Sequence, residues 1–246
     1  MRPLAGEQRP GGKRPLRIVK RVLLCILAAV LLGGTAFCVW QRENIGALYV
    51  ALTGDPEEIA ANMDDLRREH QTALLEEKKV YVEQPTREQS GSLLDGTATA
   101  EEVKQALGLT ELIEEPESPP EGEEEPADPP PDQSELLSRC VAELYAYKVD
   151  LMEELGRMRS ETITFWESLE PKERTPAKMQ SVIMDRLYAC YELEAEADAN
   201  VRQILEKYRA LFEGSALDTQ VLDELWIYYC EEKAAEKAYY MNKYLE

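Results

Sequence analysis

The sequence predicts an all-α protein with four parts: a single transmembrane helix, a small membrane-proximal helical module, a disordered acidic Pro-rich linker and a C-terminal antiparallel three-helix bundle of coiled-coil character. Three observations support this prediction. One long apolar segment near the N-terminus has no charge, apolar residues recur at helical spacing through most of the remainder, and an abrupt run of prolines and acids separates two helical regions.

The apolar segment at residues 22–40 has the length of a membrane span. At a rise of about 1.5 Å per residue it extends about 28 Å, which matches a hydrocarbon core of roughly 30 Å. Seven Lys and Arg residues precede it in the tail of residues 1–21, so the positive-inside rule places this tail in the cytoplasm and the remainder outside. A cleaved signal peptide is the alternative; the long apolar run and the poor cleavage site at 34–36 favour an uncleaved anchor.

Charge is distributed very unevenly along the chain. Residues 1–42 contain eight basic residues and one acidic residue, a balance of +7, whereas residues 43–246 contain 20 basic and 47 acidic residues, a balance of −27. Together these give the net charge of −20. Because phosphate contacts need Lys and Arg, this acidic body is not expected to bind nucleic acid. Anionic lipid headgroups would also repel it.

The membrane-proximal module is predicted at residues 41–112. Asp55-Pro56 has the pattern of an N-cap followed by proline at the first helical position, after a helix that stops at Gly54. The next helix should run to about Lys79. Shorter helices should begin at Thr86 and, through a capping box, at Thr99. The apolar stripe of the long helix consists of Ile59, Met63, Leu66, His70 and Leu74.

The linker is predicted at residues 113–132. Its run 114–132 contains seven prolines and nine acids without a basic residue. Proline removes backbone donors and like charges repel one another, so a spacer that stays extended is expected.

The bundle is predicted at residues 133–246. Its first helix begins at Asp132 and has apolar residues at heptad a and d spacing from 137 to 169, with Lys148 and Thr162 at the two remaining seam positions. Pro171 ends this helix. Short connections to the two following helices require antiparallel neighbours.

The second and third bundle helices show similar patterns. Thr175-Pro176 should cap the second and Gly214 should end it; Asp218 should open the third, in which Glu232 interrupts the apolar spacing. The predicted inward stripe of the second helix is Ile183, Leu187, Cys190, Leu193, Ala197, Val201, Ile204, Tyr208 and Leu211.

The sequence contains no pattern typical of a catalytic, cofactor-binding or metal site. The single histidine, His70, has no second histidine to share a metal and is assigned a packing or surface role. The antiparallel layout separates Cys140, Cys190 and Cys230 by more than the roughly 7 Å that a disulfide permits. We therefore expect no disulfide among them, with Cys190 buried.

Tyrosine is concentrated in the bundle, notably on its last helix. Adjacent residues on a helix point about 100° apart, so one member of the pairs Tyr228-Tyr229 and Tyr239-Tyr240 should face away from the seam. These side chains, with Trp226, are expected either to pack between the other helices or to form a surface for a protein partner.

Four short stretches resemble uncharacterised single-pass membrane-anchored helical proteins of Gram-positive bacteria. They are residues 55–59, 100–108, 170–174 and 237–240. The resemblance implies an architecture and no activity.

The function expected from these features is a membrane-tethered, extracytoplasmic helical interaction or scaffold module with no catalytic activity. The alternative is a cell-envelope sensor or accessory subunit that couples ectodomain binding to the anchor. Expected partners are the lipid bilayer, a protein at the Tyr-rich helix and a second copy of the chain. An envelope hydrolase would need a pocket and an activating pair that the sequence does not indicate.

Overall fold

The computed structural model describes residues 42–113 and 132–245, and within these ranges the chain is helical with short connections. The predicted membrane span at 22–40 and nearly all of the linker lie outside the described residues. None of the described helices is both long and apolar enough to cross a membrane. The helices are α1 (Arg42–Thr53), α2 (Pro56–Lys78), α3 (Arg87–Leu94), α4 (Ala100–Ala106), α5 (Leu109–Ile113), α6 (Gln133–Ser168), α7 (Pro176–Gly214) and α8 (Gln220–Leu245).

Local capping signals set the helix starts, as predicted. Thr86 with Gln89, and Thr99 with Glu102, exchange both hydrogen bonds of a capping box. Asp55 Oδ1 accepts a hydrogen bond from a backbone N–H in the first turn of α2 at 2.9 Å. The all-α class is confirmed over the described residues.

The segment after α2, residues 79–86, is not helical. Lys79 adopts a left-handed conformation with φ of 60°, and the backbone N–H of Val80 donates to the carbonyl of Leu74 at 3.0 Å. Val80 and Val82 are buried, whereas Tyr81 between them is exposed. This alternation lets a short non-helical segment contribute to the core.

The chain forms two compact units. The described part of the first consists of residues 42–59 and 234–245. The side-chain amide of Asn242 donates to the carbonyl of Ala51 at 2.8 Å, and Tyr239 packs against an apolar core. The buried members of that core are Ala47, Ile59 and Ala238.

The second unit spans residues 60–233 and contains the main core. Leu74, Val82 and Leu109 share this core with residues of α6, α7 and α8. The segments predicted as a module at 41–112 and a bundle at 133–246 thus contribute to one core here. The α6, α7 and α8 contribution consists of Leu136, Leu137, Cys140, Val141, Ala142, Ala146, Val201, Leu205, Tyr208, Phe212, Val221, Leu222 and Leu225.

Side-chain contacts confirm that α6 and α7 run antiparallel. Asn200 donates to the Tyr147 hydroxyl at 3.0 Å, and Lys207 donates to Glu143 at 2.7 Å. Residue numbers therefore increase along α7 in the direction in which they decrease along α6.

Two ion pairs show the relative direction of α7 and α8. Arg209 near the end of α7 pairs with Asp223 near the start of α8 at 2.6 Å. Lys233 lies later on α8 and donates to Asp198, which lies earlier on α7, at 2.7 Å. These two helices are therefore antiparallel as well, as the short connections predict.

The buried face of α6 differs from the predicted seam. Leu137 and Val141 are buried as predicted, but farther along the helix Val149, Met152 and Gly156 are buried in place of residues 151 and 155. The reason is that α3, α4 and α5 also pack against α6. A heptad pattern predicts one buried side of a helix and gives no information about a second side that is also packed.

The predicted stripe of α7 is correct only for the middle of the helix. Ala197, Val201 and Tyr208 are buried, but Ile183 and Leu187 before them and Leu211 after them are exposed. An apolar pattern records which side of a helix is hydrophobic, and it carries no information on whether another element covers that side.

Of the two predictions for the cysteines, the one on disulfides is confirmed and the one on burial is wrong. Cys140, Cys190 and Cys230 form no disulfide, as predicted, but Cys190 is exposed and Cys140 is the buried thiol. The prediction for Cys190 is wrong because it relies on the α7 stripe. Burial raises the pKa of the Cys140 thiol.

Close packing of α3 on α6 is tested by a pair of glycine substitutions. A Cβ at Gly156 would lie 2.2 Å from the backbone carbonyl oxygen of Leu93, whereas a Cβ at Gly91 meets nothing within 4 Å. Gly156→Ala should therefore destabilise the protein by about 1–3 kcal/mol. Gly91→Ala should stabilise it by up to about 1 kcal/mol through helix propensity. Urea unfolding followed by circular dichroism measures both, and equal effects would contradict this packing.

Candidate functional site

Three polar residues that interrupt apolar helical patterns meet in the second unit. His70 lies on α2, Lys148 on α6 and Glu232 on α8. His70 and Glu232 are 162 positions apart in the sequence, yet their side chains form a buried hydrogen bond. In the sequence, each of these residues occupies a position where the pattern of its helix calls for an apolar side chain. The structure shows that these polar side chains belong to one network.

Glu232 is the common acceptor of this network. Its Oε1 accepts from His70 Nδ1 at 3.1 Å, and its Oε2 accepts from Lys148 Nζ at 3.2 Å and from the side-chain amide of Gln84. The second ring nitrogen of His70, Nε2, donates to Glu231 Oε2 at 3.0 Å. Four segments of the chain therefore converge on one buried carboxylate and its histidine.

The network is closed to solvent on all but one side. The side chains of His70 and Glu232 are 6% and 11% exposed, whereas that of Glu231 is 52% exposed. The Tyr228 ring stacks on the His70 imidazole at a centroid distance of 4.0 Å and an interplanar angle of 15°. Water thus reaches the network mainly at Glu231.

The hydrogen bonds favour the protonated form of His70. Both ring nitrogens face carboxylate oxygens, and only the imidazolium form has two N–H donors. Burial alone would lower the pKa of His70, but the hydrogen bonds and charges of Glu232 and Glu231 outweigh it and raise the pKa. Burial would raise the pKa of Glu232, but Lys148, His70 and Arg67 together lower it.

This arrangement suits structural more than catalytic chemistry. A histidine acting as a general base or metal ligand needs a nitrogen lone pair, and both nitrogens of the imidazolium carry protons. In the described ranges no group of three or more His, Cys, Asp or Glu side chains has the arrangement of a metal site. The network can hold α2, α6 and α8 in one alignment, since a shift of any of them separates charged partners.

A second feature is a group of exposed apolar side chains on the α6–α7 hairpin, called the hairpin surface and defined by the eight residues given at the end of this paragraph. The cleft beside it is lined by Phe165, Val182, Asp185 and Arg186, and Arg186 lies 3.8 Å from Glu161 across the two helices. The exposed members of the hairpin surface are Ile163, Phe165, Met179, Ile183, Met184, Leu187, Tyr188 and Tyr191.

The aromatic residues of α8 are largely packed. Tyr228 stacks on His70, the Tyr229 hydroxyl donates to Asp198 at 2.7 Å, and the Trp226 ring lies under the guanidinium of Arg202 at 4.4 Å. These contacts support the packing interpretation of this helix, and a partner at its Tyr-rich face stays a prediction. Two members of the hairpin surface, Ile183 and Leu187, belong to the predicted α7 stripe, which the periodicity alone assigns to the core.

Comparisons of the chain with family models, curated proteins and solved structures give no match. Function is therefore inferred from the residues and their geometry alone.

The importance of the buried network is tested by removing its carboxylate. Glu232→Ala removes the acceptor that His70 and Lys148 share and should lower the free energy of unfolding by about 3–5 kcal/mol. Glu154→Ala removes an exposed ion pair with Arg157 and should change it by less than about 1 kcal/mol. Similar losses for Glu232→Ala and Glu154→Ala, by urea unfolding, would contradict this account.

The pH dependence of stability follows from the same groups. His70 has a raised pKa, so its contribution is complete below its ordinary pKa of 6.5 and is lost as the pH rises through the folded value. Glu232 has a lowered pKa, so its contribution is complete above 4.5 and is lost as the pH falls through the folded value. Both contributions are present between about pH 4.5 and 6.5.

Because the chain has one histidine, its imidazole resonance in NMR reports His70 directly. We expect a midpoint above 6.5, and a midpoint at or below 6.5 would refute the doubly bonded imidazolium.

Proposed function

We propose that this protein is a membrane-tethered, extracytoplasmic helical interaction module without catalytic activity. The observation that carries the proposal is the hairpin surface, on which eight large apolar side chains are exposed along one helical hairpin. Exposed apolar surface of this extent is typical of protein interaction sites. The alternative of a cell-envelope sensor has no observation in its favour.

The hairpin that carries this surface is held by its own connection. The Arg174 guanidinium donates to the backbone carbonyls of Glu167 at 2.7 Å and Leu169 at 3.0 Å, and Glu173 accepts from the backbone N–H of Glu170 at 3.0 Å. A cation at these carbonyls stabilises the C-terminal end of α6. An ordered surface supports binding because little conformational entropy is lost on contact.

The absence of catalysis is supported by the state of the only histidine. Both nitrogens of His70 are engaged by Glu231 and Glu232, and the ring is covered by Tyr228. Acidic side chains are abundant, but Glu232, the most buried carboxylate of the network, is neutralised by Lys148 and His70.

The tethering is supported by the sequence outside the described residues. Residues 22–40 have no charge, seven Lys and Arg precede them, and acidic residues dominate the chain from residue 43 onward. This distribution favours a cytoplasmic tail, a membrane anchor and an outward body. The acidic Pro-rich run between α5 and α6 adds to the negative charge of that body.

Two measurements test the proposal in cells. Alkaline phosphatase, which is active only after export, should be active when fused after residue 246 and inactive when residues 22–40 are deleted. In the full chain, a photo-crosslinking amino acid at Ile183 should form protein adducts in the membrane fraction. The same group at Glu192, an exposed position on α7 outside the hairpin surface, should form at least tenfold fewer.

The results separate the parts of the proposal. An inactive phosphatase fusion would overturn the topology. Equal adduct yields at Ile183 and Glu192, or none at either, would overturn the interaction role of the hairpin surface.

A further inference from the structure

We infer that the hairpin surface binds a second copy of this chain, so that two α6–α7 hairpins form an intermolecular four-helix bundle. This inference rests on the proposed interaction function and names its partner. It is carried by the charge of the hairpin, the mixed signs at the rim of its apolar surface, and the area that this surface offers.

The tip of the hairpin, residues 157–191, is nearly neutral, unlike the acidic sequence on either side of it. Residues 157–191 contain six Lys and Arg and five Asp and Glu, a balance of +1, so the remainder of the chain carries −21. Contact through most other surfaces of the body would bring acid against acid. Contact through the hairpin joins surfaces that repel each other little.

The rim of the apolar surface is complementary to itself. Lys178 Nζ lies 5.2 Å from the centre of the Phe165 ring, and Asp185 and Arg186 line the same cleft as Phe165. A twofold dimer uses the same patch on both copies, so a rim with only one charge sign would face an identical charge. Asp185 gives this rim an acidic group that can face Lys178 or Arg186 of the second copy.

The area is close to what a specific dimer needs. With a surface of about 200 Å² for each large side chain, the exposed fractions, from 37% for Leu187 to 64% for Tyr188, total roughly 700 Å². A standard interface buries about 800 Å² on each partner. These side chains point to more than one side of each helix, so a partner on one side would cover part of this apolar area together with the polar groups beside it.

The helical geometry suits a bundle. Ile183 and Leu187 are spaced by four positions and lie on one side of α7, and Ile163 lies near the same level of α6, because Glu161 contacts Arg186. Two antiparallel helices with a shared apolar side can pack against an identical pair as a four-helix bundle.

The test uses the full chain in its native membrane. A photo-crosslinking amino acid at Leu187 should give an adduct of twice the 28.0 kDa chain mass, and mass spectrometry should identify this chain on both sides, joined within residues 157–191. The matched control is Leu211, an exposed apolar residue of the same helix outside the hairpin surface. Its adduct yield should be at least tenfold lower.

Substitutions then test the surface itself. With the crosslinking group at Tyr188, the pair Ile183→Gln and Leu187→Gln should reduce the dimer adduct at least fivefold, and Leu211→Gln should leave it unchanged. Helix content by circular dichroism should be the same in both variants, because all three residues are exposed.

The possible failures are distinguishable. Adducts at Leu187 to a different protein would overturn the second-copy inference and leave the proposed interaction function in place. The absence of any protein adduct at Leu187 and Ile183 would overturn both. A dimer joined outside residues 157–191, or insensitive to the paired substitution, would overturn the hairpin as the interface.

Discussion

A single buried carboxylate, Glu232, constrains how the helices of the second unit are aligned. It accepts hydrogen bonds from His70, Lys148 and Gln84, which lie on two other helices and on a non-helical segment. A buried charge without partners is strongly unfavourable. Sliding one helix by a turn, about 5.4 Å, would separate Glu232 from its partners, so the network favours one alignment over its neighbours.

Apolar packing alone would leave that alignment less well specified. Leu, Val and Ala side chains along α6 and α7 contribute burial energy, and similar energy is available in shifted registers when such residues repeat. The network supplies directional contacts, and Gly156 adds a steric one, because α3 approaches α6 there more closely than a side chain allows. Polar and steric constraints therefore favour one helix alignment among several that would have similar free energies from apolar burial alone.

The hairpin beyond the main core has a different composition. Its tip, residues 157–191, has little net charge and exposes Ile183, Leu187 and Tyr188, whereas the main core buries its apolar residues and the rest of the chain is strongly acidic. An acidic body keeps molecules apart in solution, and an apolar, nearly neutral patch is where contact is least opposed. Together with the proposed membrane anchor, which would concentrate copies in two dimensions, this distribution supports the proposed association role.

The local features of this protein follow from its amino-acid sequence, whereas helix packing sets which polar residues contact one another and which apolar residues remain exposed. The helix starts at Asp55, Thr86 and Thr99 were predictable because a capping side chain bonds to a backbone group within about three residues. A hydrogen bond between His70 and Glu232, across 162 positions, depends instead on how helices pack. The exposure of Ile183 and Cys190 likewise depends on whether a neighbouring element covers them. A side chain's own chemistry sets its preference for burial, and the positions of its neighbours determine whether that preference is met.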